Sequence, residues 1–398
     1  MWNSYKDVKI CVYAICADEP ESFIDRWLDS MKGADYICVL VTKRANDNYF
    51  YLQEKQRLDK FKNKLIVDET GVSPWRFDVA RNKSLKLVPK DSDALICTDI
   101  DKVMIDDFWD DYRKCVFEHP DFSTIYYKYS WSVNADGSPG WSFWYDKTHH
   151  LDGYRWQYPV HETLTCDIPN KYSGKYYLDK DKIYLWHYPD NTKSRSSYLG
   201  LLKLRVEENP NDDLSAFYLA REYTFVNDWK NAARTAFNSY ITILKTQSYY
   251  KNQLAATGCI LGKSLHQLGL FDEAEYFYRS IINKVPTYRE TYIRLAQLLA
   301  YQPKPQEVYS VILQMYNNSI VENDWRQPPF VYRDWKINQI IADAKCWEGK
   351  YDEAFSHMQK ALDDIKTQKD FEDAVRENLL ADKTFIEQTI NKISEKQQ

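Results

Sequence analysis

The 398-residue sequence has no C-x-x-C pair among its eight cysteines, no excess of positive charge and no long apolar run. Each absence removes a class of function. Without paired cysteines, and with most of them inside apolar stretches such as "KICVYAIC", the thiols read as small buried hydrophobes in a reducing compartment. A net charge of -5 gives no field that would draw nucleic acid or an anionic membrane to the chain as a whole. No segment approaches the roughly 18 apolar residues of a membrane span, and no basic, apolar, small-residue signal opens the sequence. A cytoplasmic protein is the expectation. A Gly-rich phosphate loop is missing after the first apolar run, which argues against a nucleotidyltransferase.

What is present is a globular composition with 44% apolar residues, and a length that predicts two or three domains. Thirteen Trp and 32 Tyr suit either ring-stacking sites or helical repeats packed with aromatics. The first half alternates apolar strand-like runs ("DVKICVYAIC", "ADYICVLVT", "NKLIVDE", "DALICTDID") with helical patterns ("ESFIDRWLDSM", "RFDVARNKSLKLV"). That alternation predicts an α/β domain with a mostly parallel sheet, whose ligands gather at the carboxyl ends of the strands. Aromatic-rich strand-like pieces follow from about Phe122 and read as antiparallel additions at the sheet edge. After Lys193 the pattern becomes helical pairs. Ala232, Ala274, Val308 and Ala354 occupy one recurring position, at spacings near the 34-residue tetratricopeptide period. The expected organisation is an α/β domain over 1–195 and an all-α helical-hairpin solenoid over 196–398.

Four constellations carry candidate chemistry. In "ALICTDIDKVM", Asp99 and Asp101 flank Ile100, so along a strand both carboxylates point one way and repel. A hard divalent cation, Mn²⁺ or Mg²⁺, would relieve the conflict. A solvated acidic loop is the bland alternative. In "PWRFDVARNKSL", Arg76 and Arg81 suit a diphosphate and Asp78 a base or ribose, unless Asp78 and Arg81 simply pair along a helix. "GYRWQYPVHETL" places Glu162 beside aromatic Trp156 and Tyr158 as a general-base candidate, or as a capping acid next to a structural His161. His187, in "YLWHYPDNTKSRSS", is a third metal ligand or a structural histidine.

The succession "PWRFDVARNKSL", "TDID", "GYRWQYPVHE", "HYPDNTKSRSSYLGLL" resembles family 2 type glycosyltransferases of the GT-A fold, in the bacterial and phage subgroup with a C-terminal tetratricopeptide-like domain. A peptide S-glycosyltransferase is among the similar proteins. The resemblance implies a nucleotide-sugar donor, UDP-linked in most such enzymes, over Ala14, Cys16, Glu19, Thr42, Asp47, Asp78, Arg81 and Asp99. It implies Mn²⁺ or Mg²⁺ on Asp101, Asp99 and His187, and Glu162 as catalytic base for an inverting displacement. Trp156, Tyr158 and His161 would line the acceptor side, facing a protein, peptide or glycan. Self-association through the helical domain is a further expectation. One departure stands out: where relatives read "DTGSTDNT", this chain reads "VTKRANDNY", with Val41 at the expected Asp. The competing expectation is a catalytically inactive transferase-like domain carrying a tetratricopeptide-like protein-binding scaffold.

Overall fold

The structure is a computed structural model. It describes residues 2–43, 47–134, 136–168, 171–190, 198–246, 251–320, 326–328, 331, 334–365 and 373–396. The chain divides into two compact units, one of residues 1–133 and 139–205, the other of residues 134–138 and 206–398. The domain boundary expected at 195/196, with Lys193 and Arg195, lies outside the described residues, as does Arg44.

The first unit is built around β1 (Ile10–Cys16). Its Ile10, Val12, Ala14 and Cys16 face one core, and Cys11 and Tyr13 face another, because strand side chains alternate. Both faces are apolar, as a strand covered on two sides requires. α1 (Glu21–Ser30) closes the first face with Ile24, Trp27 and Leu28. β2 (Tyr36–Val41) lies parallel to β1, and α2 (Asp47–Gln56) leads on to β3 (Leu65–Glu69), which is parallel to β2. α3 (Phe77–Leu85) covers the second face through Leu85, and β4 (Ala94–Cys97) joins β1 on its other side in parallel.

A turn at Ile100–Asp101 then redirects the chain into β5 (Lys102–Met104) and α4 (Asp107–Glu118). The long β6 (Phe122–Ser130) is followed by β7 (Ser142–Tyr145), antiparallel to it, and by β8 (Thr148–His149), antiparallel to β4. The first sheet is thus ordered β3-β2-β1-β4-β8. β9 (Tyr154–Gln157) and β10 (Thr163–Cys166) form a separate hairpin. β11 (Gly174–Tyr177) and β12 (Leu185–His187) complete a second sheet, β11-β6-β12-β5. The aromatic pieces were expected as antiparallel additions, and β7 and β8 are so. β11 and β12, however, join β6 in parallel, which the intervening lengths of chain permit.

The second unit is helical, and α5 (Tyr198–Glu208) spans the division. Four antiparallel hairpins follow: α6 (Asp213–Phe225) with α7 (Trp229–Thr246), α8 (Lys251–Gln267) with α9 (Phe271–Lys284), α10 (Arg289–Tyr301) with α11 (Pro305–Asn318), and α12 (Trp335–Trp347) with α13 (Tyr351–Ile365). α14 (Asp373–Lys396) packs on α13. Each hairpin turns on the same device. A backbone N–H reaches back five residues, from Asp228 to Tyr223, Leu270 to Leu265, Lys304 to Leu299 and Lys350 to Lys345. This is the bond that closes a helix end through a left-handed residue, the place held by Asn227, Gly269 and Gly349, all at positive φ. Five residues beyond each of these turns stand Ala232, Ala274, Val308 and Ala354, each fully buried. The position that recurs in the sequence is therefore buried in every one of these hairpins.

Candidate functional site

The carboxyl end of β4 holds the stretch in question. β4 stops at Cys97, so Asp99 and Asp101 lie in a turn and do not share one side of a strand. Ile100 between them is buried, and the two carboxylates face different partners.

Asp99 is neutralised by cations of the chain itself. Arg81 Nη2 donates to its Oδ1 at 2.6 Å and Lys102 Nζ to its Oδ2 at 2.5 Å. Arg81, from α3, also donates through Nε to Glu162 and through Nη1 to the Cys97 sulfur at 3.1 Å. Lys102, from β5, donates in addition to the Tyr145 hydroxyl at 2.7 Å. Two cations thus face two carboxylates. Burial alone would raise the Asp99 carboxyl, but Lys102 and Arg81 overcome it and hold the group well below the usual carboxylate range. Burial works equally against Arg81, yet Cys97, Asp99 and Glu162 keep its guanidinium protonated far above its ordinary value. Lys102 is raised in the same way, mainly by Asp99 against the cost of its own burial. The cluster ties α3, the turn, β5 and the loop before β10 into one charge-balanced lock.

Asp101 stands apart. Its Oδ2 is 3.1 Å from His187 Nε2, and His187 Nδ1 is 3.1 Å from the Trp131 carbonyl oxygen. The Oδ1 of Asp101 is buried with no hydrogen-bond partner among the described residues. Among those residues no group of three or more His, Cys, Asp or Glu could hold a metal ion. Of the three residues expected to hold Mn²⁺ or Mg²⁺, Asp101 and His187 face each other, while Asp99 is committed to Arg81 and Lys102.

The other predicted residues fall in several environments. Asp78 is clamped by Arg76, whose Nε and Nη2 donate to its two oxygens at 3.0 and 2.9 Å, so the helical Asp78–Arg81 pair is not formed. Ala14 and Cys16 are buried in the core. The Thr42 hydroxyl is 3.3 Å from the Cys16 carbonyl, and Asp47 is exposed at the start of α2. Glu19 is fixed through its backbone by the Asn48 amide, which accepts from its N–H at 2.8 Å and donates to its carbonyl at 2.7 Å. Val41 is fully buried in β2.

Trp156 is buried as well. Its indole N–H donates to Tyr13 Oη at 2.8 Å, and Tyr13 in turn bonds His149 Nε2 at 2.7 Å. Tyr158 and His161 both adopt positive φ, at 80° and 49°. Arg205 holds that loop: it lies 3.9 Å from the Tyr158 ring centroid and donates to the carbonyls of Val160 and His161 at 2.9 and 2.7 Å. The sequence pattern did not point to Lys102, Tyr13, His149 or Arg205. Arg205 alone left a signal, a single arginine late in the apolar run "YLGLLKLRV".

No family model matches the chain, and no curated protein matches it either. Solved structures do. A tetratricopeptide protein of Thermus thermophilus, TTC0263, is 16% identical over 48% of this chain and 89% of its own, with a TM-score of 0.35. MamA is 16% identical over 43% and 88%, with a TM-score of 0.32. A tetratricopeptide repeat protein of Parabacteroides merdae is 17% identical over 47% and 63%, with a TM-score of 0.34. None of the three is a glycosyltransferase.

The expected membership in the family 2 type glycosyltransferases, and with it the transferase activity, is accordingly corrected. The geometry supplies a physical reason. Two carboxylates that the resemblance assigned to donor and acceptor chemistry, Asp99 and Glu162, are both occupied by Arg81. What stands is a mixed α/β unit and a helical-hairpin unit, in which no described helix is long and apolar enough to cross a membrane.

Proposed function

We propose that the chain is a non-catalytic protein-binding scaffold whose helical hairpins carry the partner. The observation behind this reading is the repeated hairpin device: four turns with one hydrogen-bond pattern, each followed by a fully buried Ala or Val. Such arrays bury their core between neighbouring units and leave long helical faces open to other chains. The lock of Arg81, Lys102, Asp99 and Glu162 supports the non-catalytic half of the reading. Its charges are balanced internally, and freeing either carboxylate leaves a buried cation short of a partner.

The test is cross-linking mass spectrometry on the full chain with the proteins it retains from a cell extract. Cross-links concentrated in residues 206–398 are expected. Partners cross-linked only to residues 2–205 would overturn the assignment of binding to the hairpins.

A further inference from the structure

The first hairpin holds a cleft with opposite charges at its two ends. Its volume is about 420 Å³, and every residue lining it belongs to the helical unit. Sites for small molecules span roughly 300–1,000 Å³. α6 contributes an apolar wall of Ala216, Leu219 and Tyr223, at the three- and four-residue steps of one helical face. α7 faces it with Thr235 and Asn238. Asp213, the first residue of α6, stands at one end, and Arg234, in the second turn of α7, at the other. Ser239 marks the level of Asp213, because its hydroxyl donates to the Asp213 carbonyl at 3.0 Å. Arg234 lies five residues earlier on α7, about 7.5 Å along the axis at ~1.5 Å per residue. Side chains lean toward the N-terminus of their helix, so in this antiparallel pair the charged ends diverge to about 10 Å.

Neither charge is matched. Among the described residues no cation lies within ion-pair distance of Asp213, and no carboxylate within that distance of Arg234. Asp212 is spent on the helix cap, where it accepts from the Leu214 N–H at 3.2 Å and from the Ser215 hydroxyl. Burial, and then the charge of Asp212, raises the half-buried Asp213 carboxyl above its ordinary value, against a smaller pull from Arg326. Arg326 itself donates to Gln253 at 3.0 Å. A second cation at Asp213 relieves the repulsion between the two carboxylates. The side-chain polar atoms of Thr235 and Asn238, between the two ends, have no protein partner among the described residues.

We propose that this cleft binds a short free peptide of about three residues, its amine at Asp213 and its carboxylate at Arg234. An extended tripeptide spans about 10 Å, which matches the separation of the two charges. Thr235 and Asn238 serve its peptide groups, and Leu219 and Tyr223 its central side chain. Such a peptide is a small ligand, and holding it is a function separate from the capture of a protein partner.

The test is isothermal titration calorimetry of the full chain at low salt with trialanine, N-acetyltrialanine and trialanine amide. Trialanine should bind, and each blocked form about tenfold more weakly. Asp213→Asn should weaken trialanine about tenfold and leave the acetylated form unchanged, because the charge it removes has no amine to meet there. Arg234→Gln should likewise weaken trialanine and leave the amide unchanged. Arg234 is exposed, so its variant reads the site even if Asp213→Asn loosens the start of α6. Absence of saturable trialanine binding, equal affinity for the blocked forms, or an Arg234→Gln variant that weakens all three peptides alike each overturns the proposal. Cross-links to 206–398 would stand in that case, and the scaffold reading with them.

Discussion

Acidification should unfold the α/β unit through two buried neutral histidines. The His149 ring is fully buried, accepts at Nε2 from Tyr13 and faces the His150 carbonyl at 2.6 Å through Nδ1. Burial pushes it down to about 3. His150, stacked between Phe122 and Tyr172, is pushed down to about 4 by the same cause. Both values lie below the roughly 6.5 of an exposed histidine. The unfolded chain therefore binds protons that the folded one refuses, and stability present above about pH 6.5 is lost as pH falls toward the folded values. At about pH 4.5 each histidine costs about 2.5 kcal/mol, or about 5 kcal/mol together, at ~1.4 kcal/mol per unit. Against a typical total of about 5–15 kcal/mol that is a large fraction. Urea unfolding of the full chain, followed by hydrogen exchange in peptides from β1, β4 and β8, measures the effect at about pH 7 and pH 4.5. A His149→Gln/His150→Gln variant should lose most of the pH dependence, whatever its stability at neutral pH. An equal drop in wild type and variant would show that the two histidines do not set the pH dependence.

Further outcomes follow from the same contacts. Tyr13→Phe strands the Trp156 indole N–H and the His149 ring nitrogen, and should lower stability by about 2–4 kcal/mol in urea titrations; a change below about 0.5 kcal/mol contradicts the relay. Arg81→Met leaves Glu162 without its side-chain ion pair and Asp99 with Lys102 alone, so a loss of about 3–5 kcal/mol is expected by thermal melting. A stability gain would show that the lock is dispensable. Gly262→Val places a carbon 2.4 Å from the Tyr278 ring, and should cost about 1–3 kcal/mol in the helical unit, read as faster exchange in α8 and α9 with β1 unchanged.

Much of the fold was legible because it rests on local periodicity. The apolar faces of α1 and the strand runs of β1 to β4 are patterns of a few residues, and they mapped onto the observed elements with ends shifted by one to a few positions. The recurring Ala232, Ala274, Val308 and Ala354 were legible for the same reason. The site was less so. "TDID" reads as the end of a strand, but the chain turns at Ile100–Asp101 so that β5 can pair with β12, a strand more than 80 residues later. The neutralising cations were equally hidden. Arg81 reaches Glu162 across 81 positions and Asp99 across 18, and nothing in the sequence marks Lys102 as the partner of Asp99. A pair of carboxylates in sequence asks for positive charge. Only the fold shows that the chain supplies it to Asp99 from its own Arg81 and Lys102.

A turnover measurement with the purified full chain tests the non-catalytic reading most directly. Incubated with a panel of nucleotide sugars, with and without Mn²⁺, it should release no nucleotide above the buffer control, and Asp101→Ala should change nothing. Metal-dependent release that Asp101→Ala abolishes would contradict a non-catalytic scaffold.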